Sequence, residues 1–235
     1  GLALETILGI PMMYSILGLA AFALLYSVYG GLSAVVWTDV IQVAVLVFGG
    51  FATSYVALNW ISGGEGAFAG LGTILDKVPD HFEMILSVDN AHYKDLPGIA
   101  VLIGGLWVTN LYYWSFNQYV IQRTFAAKSV KDAQTGLVFA GFLKLIIPLI
   151  VVIPGIAAFY ITQYDPALLQ SLQDQFGPMV LNNLPSEQTP DKAYPWVAQL
   201  LPVGIKGVVF AALAAAIVSS LASMLNSTAT IFTMD

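Results

Sequence analysis

Residues 40–61 read VIQVAVLVFGGFATSYVALNWI, twenty-two consecutive positions without a charge. A hydrocarbon core about 30 Å thick needs roughly 20 residues of helix at 1.5 Å each, so this stretch alone can cross a bilayer. Four more stretches have the same character. Residues 11–29 are apolar throughout, 96–122 lie uncharged between Asp95 and Arg123, 133–162 are interrupted only by Lys144, and 207–234 are uncharged to the last residue but one. None alternates apolar and polar over roughly ten residues, as the strands of a membrane barrel do. The expected fold is an all-α integral membrane protein. It has five transmembrane helices at about 11–29, 38–61, 97–122, 134–162 and 204–232, within one transmembrane domain over 1–235.

The composition agrees. Of 235 residues, 58% are hydrophobic and 9% charged, where a soluble domain carries about 25% charged residues. Such a chain cannot clothe its surface in water, and its apolar content is equally at odds with disorder. Cysteine is absent, so disulfides, thiolate metal sites and thiol nucleophiles are excluded within these residues. His81 and His92 fall in one loop, and no carboxylate pair sits at membrane depth, which argues against an intramembrane hydrolase.

The net charge of −6 belongs to the loops. Loop 62–96 holds Glu65, Asp76, Asp80, Glu83, Asp89 and Asp95 against Lys77 and Lys94, and loop 163–202 holds Asp165, Asp174, Glu187 and Asp191 against Lys192. The short loop after the third span has Arg123, Lys128 and Lys131 against Asp132. Because cytoplasmic loops carry the excess of Lys and Arg, that short loop is expected inside, with Asp235. The two acidic loops and the start of the chain are then outside. Apolar residues mixed with turn formers in both acidic loops fit short surface helices or plain solvated loop. There is no initiator Met, no basic leader and no internal repeat, so the chain reads as the middle of a longer transporter or channel.

Polar side chains at membrane depth are functional candidates. Lys144 stands about 18 Å of helix beyond Asp132, by 1.5 Å per residue, and is either buried with a partner or snorkelling to the interface. Asp39 opens the second span, where it either caps the helix or serves a site. In the third span Asn110, Tyr113, Trp114 and Asn117 recur at i, i+3, i+4 and i+7. Such a stripe of amide, phenol and indole suits a polyhydroxylated ligand, though an aromatic belt with interhelical hydrogen bonds gives the same pattern. Gly104-Gly105 is a place where this helix could loosen. In the fifth span Ala216, Ser219 and Ser220 share a face, which suits either oxygen ligation of a small hard cation or a small-residue packing seam.

Two longer strings go further. Tyr29-Gly30-Gly31-Leu32-Ser33-Ala34-Val35-Val36-Trp37-Thr38-Asp39-Val40-Ile41-Gln42 resembles a signature of the sodium:solute symporter family. So does Lys206-Gly207 followed by 210–235, which contains Leu225-Asn226-Ser227-Thr228 and Phe232-Thr233-Met234-Asp235. Tyr113-Trp114 with Gln118, Gln122-Arg123, Ala126-Ala127-Lys128 and Phe142-Leu143-Lys144-Leu145 resemble the sugar-carrying branch of that family.

The resemblance implies a LeuT-type five-plus-five inverted-repeat transporter, not an enzyme, in the cell (inner) membrane. The five spans would be helices four and five of one repeat and the first three of the next. No two of these correspond under the repeat symmetry, which would account for the missing internal repeat. By the same resemblance Asn110 and Lys144 would bind sugar hydroxyls, Tyr113 would cap the sugar as an inner gate, and Trp114 would brace it. Ala216 through its carbonyl, with Ser219 and Ser220 through their hydroxyls, would hold part of a sodium site, and Asp39 would lie on the sodium exit path. The implied activity is sodium-driven symport of a monosaccharide, with sodium co-transported and the bilayer as its medium. No nucleic acid is involved. The same fold carrying an amino acid, sialic acid or vitamin is the alternative.

Overall fold

Gly31 has a backbone conformation that L-residues avoid, φ 58° and ψ −171°. It kinks one long helix, α1 (Met12–Ile61), into two spans, Met12–Gly31 and Val35–Ile61. The computed structural model describes residues 4–5, 9–90, 92–94, 98–182, 184–186 and 189–234, the side chains of Leu32 and Ala34 excepted. The charges expected at Asp95 and Glu187, the start of the chain and the inner end at Asp235 lie outside the described residues. After α1 come α2 (Ala67–Lys77), the third span α3 (Gly98–Phe116), α4 (Gln118–Phe125) and the fourth span α5 (Val130–Tyr164). Then follow α6 (Pro166–Phe176), α7 (Ala193–Gln199) and the fifth span α8 (Val203–Met234). No strand occurs among the described residues, and five helices are long and apolar enough to cross a membrane.

Five helices stand where five spans were expected; the second begins three residues and the fourth four residues earlier than expected, and the largest correction is to the end of the third. The third was expected to run on to residue 122, but the helix breaks at Asn117, whose φ of −80° and ψ of 107° are extended. The Asn117 side chain accepts a hydrogen bond from the Tyr119 N–H at 3.1 Å and so caps α4. Gly104-Gly105, the expected weak point, stays helical, in a wide turn over Val101–Gly105 with Gly105 at φ −61°.

The acidic loops fold into helices, and these carry the best-packed part of the molecule. Ile74, Leu172, Val180, Trp196 and Val197 from the loops pack on Ala57, Ile156, Ala157 and Ile161 from α1 and α5. The fully buried Trp196 donates its indole N–H to the Val180 carbonyl at 2.8 Å. Asp165 caps α6 by accepting from the Leu168 N–H at 3.0 Å, ahead of Pro166. Tyr194 on α7 reaches Thr53 at 3.5 Å; burial pushes its hydroxyl above the ordinary 10.0, partly offset by that contact, so it stays neutral.

The spans themselves meet through small residues. The second half of α1 runs antiparallel to α8, so that Gly49 abuts Val209 while, further down α1, Asp39 meets Ser219. Gly50 abuts Ile150 of α5, and a Cβ there would come within 2.5 Å of the Ile150 side chain. The α5 helix widens over Pro148–Val152, where the Ile153 N–H bonds five residues back to the Pro148 carbonyl. Pro154 has no N–H to give the Leu149 carbonyl, and the Ser54 hydroxyl supplies one at 2.6 Å. Apolar side chains such as Trp107 and Phe116 on α3 stay exposed, as lipid or further helices require.

Gly31 tests the kink. A Cβ there meets no atom within 4 Å, so Gly31→Ala is penalised through the backbone alone. The expected loss is about 1–3 kcal/mol, read as a lower melting temperature of the full-length protein in detergent. An unchanged melting temperature would contradict the positive φ.

Candidate functional site

Asp39 is the fifth residue of the span Val35–Ile61, inside continuous helix, so it caps nothing. The capping alternative fails because the chain is already helical before it, on from the Gly31 kink. Its carboxylate instead receives two donors from two other helices. The Ser219 hydroxyl of α8 donates to Oδ1, and Arg123 Nη2 of α4 donates to Oδ2 at 2.7 Å. The same nitrogen of Arg123 donates to the Ser223 hydroxyl at 2.6 Å, one turn along α8 from Ser219. Ser223 is fully buried, and Gln122 Nε2 donates to its carbonyl at 3.0 Å.

Arg123 was expected as a loop cation. It is the sixth residue of α4, lies on the Tyr119 ring at 5.4 Å and pairs with Asp39, which leaves Lys128 and Lys131 as the exposed cations of that loop.

The three residues expected to hold a cation are divided. Ser219 is 7% exposed and turned to Asp39. Ser220 accepts from the Tyr119 hydroxyl at 3.4 Å. Ala216 and Ser220 both line a cavity of about 480 Å³ that also touches Gly50, Ile150, Tyr194 and Met224. Asp39 thus joins Ser219 on this face, and carboxylate and hydroxyl oxygens are the ligand type a small hard cation takes; Ala216 stands in the unbroken helix Val203–Met234, where its carbonyl belongs to the helical ladder.

The second cluster centres on Lys144, at the end of the regular helix Val130–Lys144. Its ammonium lies 4.6 Å from the centre of the Tyr113 ring and 4.5 Å from that of Trp114. The two rings meet edge to face at 5.4 Å. Lys144 therefore has partners but is exposed rather than buried; each cation–ring contact contributes about 0.5–2 kcal/mol. Asn110, expected beside it, bonds to the Leu106 carbonyl of its own helix at 2.8 Å and is exposed. Asn117 leaves the expected stripe altogether, because it sits at the break and caps α4. Below this cluster a cavity of about 400 Å³ runs between α4 and α5, lined by Tyr113, Trp114, Tyr119, Arg123 and Asp132.

One helix break therefore separates two polar clusters, an aromatic–cation cage and a carboxylate held by hydroxyls and a guanidinium. The pattern that defines the sodium:solute symporter family matches residues 1–235. The chain belongs to the sodium:solute symporter family. It is 71% identical over 235 residues, all of this chain and 42% of the relative, to the sodium/glucose cotransporter of Vibrio parahaemolyticus. It is 32% identical over 245 residues to the human sodium/myo-inositol cotransporter 2, covering 97% of this chain and 34% of the relative. The same identity holds over 253 residues to sodium/glucose cotransporter 4 of Danio rerio, covering 100% and 36%. The chain thus spans less than half the length of these relatives. This is a multi-pass membrane protein of a symporter family.

Sequence reasoning missed Tyr119, Arg123 and Ser223. Ser223 had a usable signal, four residues after Ser219 on one helical face. Arg123 had a weaker one, four residues after Tyr119. Nothing in the sequence pairs Arg123 with a carboxylate 84 positions earlier.

The pair is open to a double-mutant cycle in this symporter. Asp39→Asn and Arg123→Gln should each destabilise, and the double variant should lose less than their sum. A coupling of about 0.5–3 kcal/mol is expected from thermal or denaturant unfolding. Strict additivity would mean that the two groups do not interact.

Proposed function

We propose that this chain forms part of a sodium-driven symporter for a monosaccharide such as galactose or glucose, working by alternating access in the cell membrane. The observation that carries the reading is the Lys144 ammonium held against Tyr113 and Trp114 within two membrane-spanning helices. A cation and amide nearby can bond ring hydroxyls, while aromatic faces pack on the C–H faces of a sugar. The named relatives support the same class, since glucose and myo-inositol are both polyhydroxylated rings.

In this reading Lys144 and Asn110 bind the sugar, Tyr113 closes beneath it, and Trp114 braces Tyr113. Asn110 gives one amide hydrogen to the Leu106 carbonyl, and its Oδ1 and second N–H can serve a hydroxyl. Sodium is the co-transported substrate, held by the Ala216 carbonyl and the Ser219 and Ser220 hydroxyls, with Asp39 on its way to the cytoplasm. A five-plus-five arrangement, with 1–235 in a single transmembrane domain, completes the proposal.

Coupling needs the ion to favour one conformation over another. The fold supplies a short route for it. Ser220 takes a hydrogen bond from Tyr119, and α4 joins the gate residues Tyr113 and Trp114 through the break at Asn117 and shares a cavity with them. Sodium at the serines therefore bears on α4 directly, and its loss would free α4 to move about Asn117 and loosen Tyr113 from the sugar.

Uptake into proteoliposomes of the full-length protein tests this. Lys144→Ala and Asn110→Ala should each cut sodium-driven glucose uptake at least tenfold, about the 1.4 kcal/mol that one hydrogen bond contributes. Unchanged uptake in Lys144→Ala would remove the sugar-contact assignment. Ser219→Ala should raise the sodium concentration needed for half-maximal uptake. Competition among labelled sugars, amino acids, sialic acid and vitamins separates the sugar reading from its alternative, and uptake indifferent to a sodium gradient would point to a channel.

A further inference from the structure

Both oxygens of Asp39 are already engaged, one by Ser219 and one by Arg123. Arg123 reaches it end-on, through Nη2 alone, and the same nitrogen holds Ser223. Its Nε is buried without a hydrogen-bond partner. A guanidinium that meant to stay would present two nitrogens to the carboxylate. This one holds the charge of Asp39 through a single nitrogen that it shares with Ser223, and it comes from α4, the element beyond the helix break.

Without Arg123, Asp39 would be an unpaired carboxylate in hydrogen-bonding contact with Ser219. A bare carboxylate beside a hydroxyl is a strong site for a small hard cation. An ion leaving the serines would stop there.

We propose that Arg123 is a tethered counter-cation that keeps Asp39 from trapping the departing sodium ion, and so sets the rate of ion release. The inference rests on the reading of Ser219 as a sodium ligand. Arg123 acts through Asp39, as a positioning residue, and touches neither substrate. Because it sits on α4, the strength of its hold on Asp39 changes with the movement of α4 about Asn117. The carboxylate is then neutralised in one conformation and more available in another.

The test is sodium-driven glucose uptake by the full-length protein in proteoliposomes, measured as sodium half-saturation and maximal rate together. Arg123→Gln should lower the half-saturation and the maximal rate, each by about fivefold or more, because the ion is held more tightly and leaves more slowly. Arg123→Lys, which keeps the charge, should restore both toward the parent. A merely structural role for Arg123 would lower the rate and leave the half-saturation unchanged or raised, and either result overturns the proposal.

Arg123→His gives an independent reading should Arg123→Gln fail to reach the membrane. An imidazole titrates near 6.5, higher beside a carboxylate. The charged and titratable groups around it are Asp39 on α1, Tyr119 on α4 and Asp132 across the cavity on α5. All are present in the parent, whose pH profile is the control. Relative to the parent, sodium half-saturation in R123H should be near normal at low pH and fall as the pH rises and the imidazole loses its charge. A profile parallel to the parent overturns the proposal. Ser219→Ala separates the two readings. If it leaves sodium half-saturation unchanged, the sodium-site reading falls and this one with it. If it raises it while Arg123→Gln and Arg123→His behave as the parent, only the role of Arg123 falls.

Discussion

A carboxylate at membrane depth must be neutralised or hydrogen-bonded, and Asp39 is both. Its ion pair and its serine contact tie three helices together at one point: the second half of α1, the short α4 and the long α8. The arrangement follows from desolvation. An isolated charge in hydrocarbon costs several kcal/mol even on the mildest scales, so the second charge must be brought to it, and α4 has to leave the line of α3 to do so. The break at Asn117 is the local expression of that demand. Asn117 is suited to it, since its side chain can replace the lost helical acceptor by capping the next helix.

The small residues on the facing helices serve the same end. Gly49 and Gly50 let α8 and α5 lie close to α1. Close approach puts serine hydroxyls within reach of carbonyls and of Asp39 rather than of lipid. Ser54 answers the Leu149 carbonyl left open by Pro154, and Ser219 answers Asp39. The serines expected from their spacing to be either a packing seam or cation ligands lie where helices pack closely, with Ser219 turned to Asp39 and Ser220 accepting from Tyr119.

What could be read from the sequence was whatever depends on one helix at a time. Five spans follow from charge-free length; the ends of α8 fall within two residues of expectation, while α5 begins four residues earlier than expected, at Val130. The helices in the acidic loops were half-visible, because their amphipathic faces compete with turn formers. Asp39 was misplaced as a possible cap for a specific reason. The second helix already begins just after the non-helical Gly31, several residues ahead of Asp39, and the uncharged run that starts at Val40 hides those first turns. Arg123 was assigned to a loop because it ends an uncharged run, whereas its guanidinium is committed 84 positions away. Long-range pairing of this kind leaves no local periodicity. The aromatic cage was partly legible: the i, i+1 pair Tyr113-Trp114 stood out, but its contact with Lys144 needs the relative placement of α3 and α5.

Asn117 also separates the cage from the carboxylate. On one side of the break, Tyr113 and Trp114 hold Lys144; on the other, Tyr119 and Arg123 hold Ser220, Asp39 and Ser223. Along the chain the two sets are joined by the stretch 114–118, with its non-helical residue at 117, and by residues 124–143, which lead from Arg123 to Lys144. The cavity between α4 and α5 brings Tyr113, Trp114, Tyr119 and Arg123 to one shared space as well. The two clusters lie on opposite arms of the break at Asn117. The interruption at Asn117 is what lets Tyr113 and Trp114 keep Lys144 on one arm while Arg123 reaches Asp39 on the other.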